Sequence, residues 1–148
     1  TDKKIIKSIS QNARKNIIDI AKETCTTVDI VKYRLKKLKE QGIINGFTIQ
    51  LNLEKIGYAY YSTFFYTHNV THEVERKMIA FAQMHPHVLF IARILGNHDL
   101  QVEFEVPDYA TLEKEIKAFR KQFASYIRNF EILRMTKECK YDFYPFNS

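Results

Sequence analysis

Residues 27–41 read TVDIVKYRLKKLKEQ and are followed by Gly42. Val31, Leu35 and Leu38 recur there at i, i+4 and i+7, the spacing of one buried stripe along a helix. Thr27 suits the N-cap, and Gly42 offers the left-handed residue that ends such a helix. The face opposite the stripe carries Asp29, Lys32, Tyr33 and Lys36, with Lys37 at its flank. A small helical module has no internal use for those lysines, which leaves either a solvated face on an ordinary three-helix bundle or a surface that meets a partner.

Upstream, a start signal at Asn16 with Asp19 three positions on precedes Ile17, Ile20 and Ala21, predicting a short helix that lasts to about Thr24. Before it, Asp2 is read as an N-cap for Ile5, Ile6 and Ile9, and that helix closes at Ser10-Gln11-Asn12. Two short helices separated only by Thr24-Cys25-Thr26, braced by a first helix, make a helix-turn-helix. Such a unit lays the start of its second helix in the major groove of double-stranded DNA. Asp29, Lys32 and Tyr33 are then placed toward base edges and Lys36 and Lys37 toward phosphates, with Thr27 at the helix start counted among the DNA-binding residues. Asp29 is repelled by phosphate unless it accepts from a cytosine amino group or orients a lysine, so its role stays open.

The charge distribution points the same way. The chain has 148 residues, 45% hydrophobic and 27% charged, with a net charge of +6. Residues 1–57 hold 12 Lys or Arg against 6 Asp or Glu, and residues 58–148 hold 11 against 11, so all the excess lies in front. A basic module joined to a neutral one suggests that the first meets a polyanion and the second does something else, such as pairing subunits. Between them, Phe47, Ile49 and Leu51 alternate with polar residues, predicting a strand in a stiff linker.

Beyond Gly57 the pattern becomes β-prone and aromatic over residues 58–66. A helix is expected from about Glu73 to Met84, a strand from Val88 to Leu95, a turn at Gly96-Asn97-His98-Asp99 and an alternating strand from Leu100 to Val106. Leu112, Ile116, Phe119 and Phe123 mark a second helix, and a last strand is expected from Ile127 to Lys137. This βαββαβ order is a ferredoxin-like antiparallel sheet with both helices on one face, giving an α+β chain. The first strand carries aromatics on both faces, so the uncovered side is expected to pack on an identical sheet in a homodimer.

Other chemistries lack their residues. No G-x-x-x-x-G-K-S/T or G-x-G-x-x-G loop is present, and no nucleophile-and-base set stands out, so neither an enzyme nor a cofactor is expected. His85 and His87 flank Pro86 without a third ligand nearby and are read as a helix-capping turn, and His68 and His72 as surface residues; no metal is expected. Apolar runs such as residues 88–92 are far shorter than the ~20 of a membrane helix. Cys25 and Cys139 form no C-x-x-C pair, and the N-terminus has no secretory pattern, so a cytoplasmic protein without membrane contact is expected.

Taken together, the residues resemble the Lrp/AsnC (leucine-responsive, feast/famine) transcription factors. The resemblance rests on Asp2, Ile5, Ile6, Arg14, Ile20, Ala21, Val31, Arg34, Leu35, Leu38 and residues 42–47 in the head. Asn52 and residues 56–58 resemble the family's hinge, and Gly96-Asn97-His98-Asp99 its G-x-x-D turn. It implies a (winged) helix-turn-helix head over 1–44, a hinge over 45–57, and a dimerising, effector-sensing βαββαβ domain over 58–148. It also implies an amino-acid effector near Gly96, Asn97, His98 and Asp99, and dimers that assemble further into tetramers or octamers. An Asp in such a turn can equally serve the backbone alone. Where that family's turn favours Gly, this chain has Cys25, which predicts strain. The rival from another class is an oligomeric small-molecule-binding module whose head contacts protein instead of DNA. The weakest is an enzyme on the same fold using His85, His87 or His98.

Overall fold

The computed structural model describes residues 1–140 and 144. They form two compact units, Leu51–Glu138 and a unit of Thr1–Gln50 that also takes in Cys139, Lys140 and Tyr144. The rest of the C-terminal end of the expected 58–148 domain, at 141–143 and 145–148, lies outside the described residues.

The first unit contains α1 (Asp2–Gln11), α2 (Ile17–Glu23) and α3 (Val28–Glu40). Ile5 and Ile9 of α1, Ile20 and Ala21 of α2 and Val31 of α3 bury one another, with Leu35 and Ile44 packed at the margin. Asn16 caps α2 as expected, its side chain accepting from Ile18 N at 3.0 Å. Asp2 does not cap α1. It is the first helical residue, and its carboxylate faces Arg34 Nε of α3 at 3.5 Å. The expected strand at Phe47, Ile49 and Leu51 is absent: no strand forms between α3 and residue 59. Alternation makes a strand only where a neighbouring strand completes the ladder. These three side chains instead stand exposed, Ile49 at 69%.

The second unit opens with a 3-10 turn, Glu54–Ile56, that the sequence pattern did not suggest. It continues as β1 (Ala59–Thr67), α4 (His72–Gln83), β2 (Val88–Arg93), β3 (Leu100–Val106), α5 (Tyr109–Phe123) and β4 (Ile127–Met135). All strand pairs are antiparallel in the order β2-β3-β1-β4, the ferredoxin-like arrangement. β3 shows why: Leu100, Val102, Phe104 and Val106 are all buried, and Gln101, Glu103 and Glu105 point the other way. Its buried row, with Tyr61 and Phe65 of β1, packs beneath Met78 and Ala82 of α4 and the α5 stripe Leu112, Ile116, Phe119 and Phe123.

The register leaves Tyr60, Ser62, Phe64 and Tyr66 of β1 on the helix-free face, beside Leu133 and Met135 of β4. That face is less bare than its aromatics suggest. Tyr60 OH donates to Glu103, Gln101 Nε2 donates to Ser62 Oγ at 2.9 Å, and Tyr66 OH donates to Glu131 at 3.3 Å.

Phe65 is wholly buried, 4.6 Å from the Phe119 ring between centroids. Its replacement by Ala should cost about 3–5 kcal/mol in urea unfolding of the full chain, through lost burial and an unfilled cavity; a loss below about 1 kcal/mol would contradict this packing.

Candidate nucleic-acid interface

The geometry of α3 follows from its two faces. Val31 and Leu38 are 0% and 2% exposed, whereas Tyr33 on the other side is 55% exposed and Asp29, Lys32, Lys36 and Lys37 are also exposed. One face anchors the helix and the other projects from its unit.

Five of the six expected contact residues therefore share one outward surface. Lys37 Nζ lies 5.6 Å from the centre of the Tyr33 ring, and Lys36 Nζ is 3.9 Å from Glu40, a loose exposed pair that leaves its charge available. Asp29 sits in the first turn, where a carboxylate is favoured by the positive end of the helix dipole. That gives it a use within the helix itself. Thr27 is the N-cap, its Oγ accepting from Ile30 N at 3.3 Å.

The turn between α2 and α3 is a Schellman closure. Thr26 N donates to Ala21 O at 2.9 Å and Cys25 N to Lys22 O at 3.2 Å. Thr24 Oγ donates to Ile20 O at 2.8 Å and is buried with it. This closure places the residue after the cap in the left-handed region, and that residue is Cys25, at φ +54°. The same closure ends α3, where Ile43 N donates to Leu38 O at 2.9 Å and the left-handed position, φ +67°, is Gly42. One chain thus uses the motif twice, once with the residue that fits it and once with a side chain that strains it.

A polar clamp also braces the head. Lys15 Nζ meets both Glu23 oxygens at 2.7 and 2.8 Å, and Ser8 Oγ donates to Glu23 Oε2 at 2.7 Å, tying α1 to the end of α2. Hydrogen bonds from Lys15 first and Ser8 second hold the Glu23 carboxyl below its ordinary value of 4.5. No sequence pattern links these three residues, because their meeting depends on how the helices pack.

In the second unit, Gly96, Asn97, His98 and Asp99 do form the connection between β2 and β3. The side chains of His98 and Asp99 have different partners. Asp99 Oδ2 accepts from Thr67 N at 2.7 Å and Thr67 Oγ at 3.0 Å, and Asp99 N donates to Phe65 O at 3.0 Å, so this residue fastens the turn to β1. The His98 ring lies 4.3 Å from that of Phe64. Asn97 is exposed, and a side chain at Gly96 would meet open space. His85 and His87 both direct Nδ1 at Glu115, His87 at 2.9 Å, which fastens the Pro86 turn to α5. Among the described residues, no three His, Cys, Asp or Glu side chains are grouped to hold a metal ion. None of their helices is long and apolar enough to cross a membrane.

Residues 1–45 match the family described as Winged helix-turn-helix DNA-binding. Similarity to individual sequences is concentrated in the same region. An HTH-type transcriptional regulator from Pyrococcus abyssi is 47% identical over 57 residues, 38% of this chain and 39% of the relative. The HTH-type transcriptional regulator LrpA from Pyrococcus horikoshii is 41% identical over 58 residues, 39% of this chain and 41% of the relative. The chain thus spans about two fifths of the length of these curated relatives. Fold similarity extends further. The crystal structure of an AsnC family transcriptional regulator from Agrobacterium tumefaciens superposes with a TM-score of 0.82 over 96% of this chain and 92% of that one, at 20% identity. E. coli AsnC superposes at 0.75 over 95% and 93%, at 18% identity. A transcriptional regulator from Neisseria meningitidis, solved as a complex with L-Met, superposes at 0.82 over 96% and 92%, at 16% identity.

Two outcomes test the head. Cys25→Gly should raise its stability by about 0.5–1 kcal/mol, and Gly42→Ala should lower it by about 1 kcal/mol, as read by chemical denaturation; destabilisation by Cys25→Gly would contradict the strained turn. Because the folded Glu23 value lies below the unfolded one, its contribution is present above about pH 4.5 and is lost as pH falls through the folded value. Carbon-detected NMR titration should place the Glu23 midpoint below 4.5, and Lys15→Ala should return it toward that value.

Proposed function

We propose that this chain, a helix-turn-helix head in a whole-chain fold shared with Lrp/AsnC regulators, is a sequence-specific DNA-binding transcriptional regulator. The observation that carries the proposal is the outward face of α3, where Lys32, Tyr33, Lys36 and Lys37 stand opposite the buried Val31 and Leu38. In a major groove, Lys32 and Tyr33 read base edges, with Thr27 and Asp29 beside them, and Lys36 and Lys37 neutralise phosphates.

The second unit pairs copies through its helix-free sheet face, where the Tyr60, Phe64 and Tyr66 row meets its equivalent. Two heads related by two-fold symmetry then require pseudo-palindromic sites with half-sites roughly 34 Å, or a multiple of that, apart. An amino-acid effector near Gly96, Asn97, His98 and Asp99 completes the proposal, supported by the L-Met complex of the Neisseria meningitidis protein of the same fold. Asp99 would act there by holding the turn, since its carboxylate is committed to Thr67.

Fluorescence anisotropy with labelled duplexes across a salt series tests the proposal. Lys36→Ala and Lys37→Ala should each weaken binding to all sequences and flatten the logarithmic salt slope by about 0.9. Tyr33→Ala should instead change the preference between sites, by about 1–3 kcal/mol at the affected base pair. Unchanged slopes in both lysine variants would rule out this docking. No duplex affinity at low salt would favour a head that contacts protein.

A further inference from the structure

The zero net charge of residues 58–148 conceals a segregation. Residues 116–130, IKAFRKQFASYIRNF, contain Lys117, Arg120, Lys121 and Arg128 and no Asp or Glu. The fold brings all four to one cleft of about 410 Å³, between the C-terminal half of α5 and the start of β4, with Ile127 and Phe130 among its apolar lining. We propose that this cleft is a binding site for a small organic anion bearing two or more phosphoryl groups, separate from the α3 surface.

Among the described residues these charges are poorly compensated. Lys117 pairs with Glu113 at 3.0 Å, but among the described residues no carboxylate lines the cleft and Lys121 and Arg128 have no ion-pair partner. Arg120 is held by a ring, its guanidinium 4.7 Å from the centre of Phe130. This contact orients the guanidinium and leaves its positive charge unneutralised. Of the two acids that flank the run in sequence, Glu115 is paired with His85 and His87, and Glu131 is on the opposite face of β4, where Tyr66 OH reaches it at 3.3 Å. Gathering like charges costs free energy that a bound anion recovers.

A purely structural use accounts for only part of the set. Arg120 and Lys121 lie in the last turn of α5, where cations favour the negative end of the helix. Arg128 comes from another element, and Lys117 lies more than a turn from the helix end. The ligand class follows from charge and shape. A single carboxylate leaves most of the charge unmatched, whereas two or three phosphoryl groups match it, with Arg120 and Arg128 able to bind oxygens in pairs. A hollow of a few hundred Å³ with apolar lining suits a small molecule carrying an apolar portion.

The test is calorimetric titration of the full chain with inorganic triphosphate in metal-free buffer. Saturable binding is expected, weakened tenfold or more in the Lys121→Ser/Arg128→Ser double variant and unchanged within twofold in Lys32→Ser/Lys36→Ser. The same cleft variant should keep wild-type affinity for duplex DNA. In the wild-type protein, triphosphate should shift backbone amide resonances across 117–130, which keeps the test decisive if the cleft variant folds poorly. Absence of binding, binding untouched by the cleft variant, or binding abolished by the α3 variant would overturn the proposal. Loss of duplex affinity in the cleft variant would also overturn it, by making the cleft part of a nucleic-acid surface. Because the α3 variant probes DNA binding separately, failure here leaves the regulator proposal standing, and the converse holds.

Discussion

The burial of Val31 against Ile5, Ile9, Ile20 and Ala21 sets the rotational phase of α3, and the rest of the head depends on that phase. Residues on a helix are locked in angular relation, so anchoring Val31 and Leu38 inward leaves Lys32, Tyr33 and Lys36 no direction but outward. Turning the helix about its axis by a third of a turn would bury lysines and expose valine and leucine, at the cost of desolvated charge and lost apolar burial. The Lys15–Ser8–Glu23 clamp and the two Schellman closures refine this arrangement by setting where α2 and α3 end.

The second unit solves a different problem with the same logic. Its helices cover one sheet face with a continuous aromatic and aliphatic core, leaving a helix-free face on which tyrosines are tied to glutamates. Its charges are sorted in space: acids lie on the open sheet face at Glu103, Glu105 and Glu131, and cations gather around the α5–β4 cleft. A net charge of zero is thus compatible with two strongly charged regions.

What could be read in advance was what local periodicity controls. The α3 stripe, the Thr27 cap, the Gly42 stop and the strict alternation of β3 each follow from side chains a few positions apart, and each appears in the structure. The left-handed Cys25 was legible as a departure from a turn that favours glycine. Features set by tertiary meeting were not legible. The Phe47–Ile49–Leu51 alternation looked like a strand, yet pairing needs a neighbour that its own sequence cannot supply. Asp2 looked like a cap but is drawn toward Arg34 of another helix, whereas the backbone role open to an Asp in the Gly96–Asp99 turn is seen in its bond from Thr67 N, a partner the sequence did not name. The cationic cleft was hidden by summing charge over 91 residues, although the acid-free run at 116–130 was visible to a shorter window.

The proposed nucleic-acid surface is the exposed cationic face of α3. Its test is a residue-resolved NMR titration of the full chain with a duplex bearing a selected site. The largest amide shifts are predicted across residues 27–37, with the buried Ile5, Ile9 and Val31 side chains keeping their packing. A map in which 27–37 stay unmoved while shifts centre on another surface would show that DNA does not dock on α3.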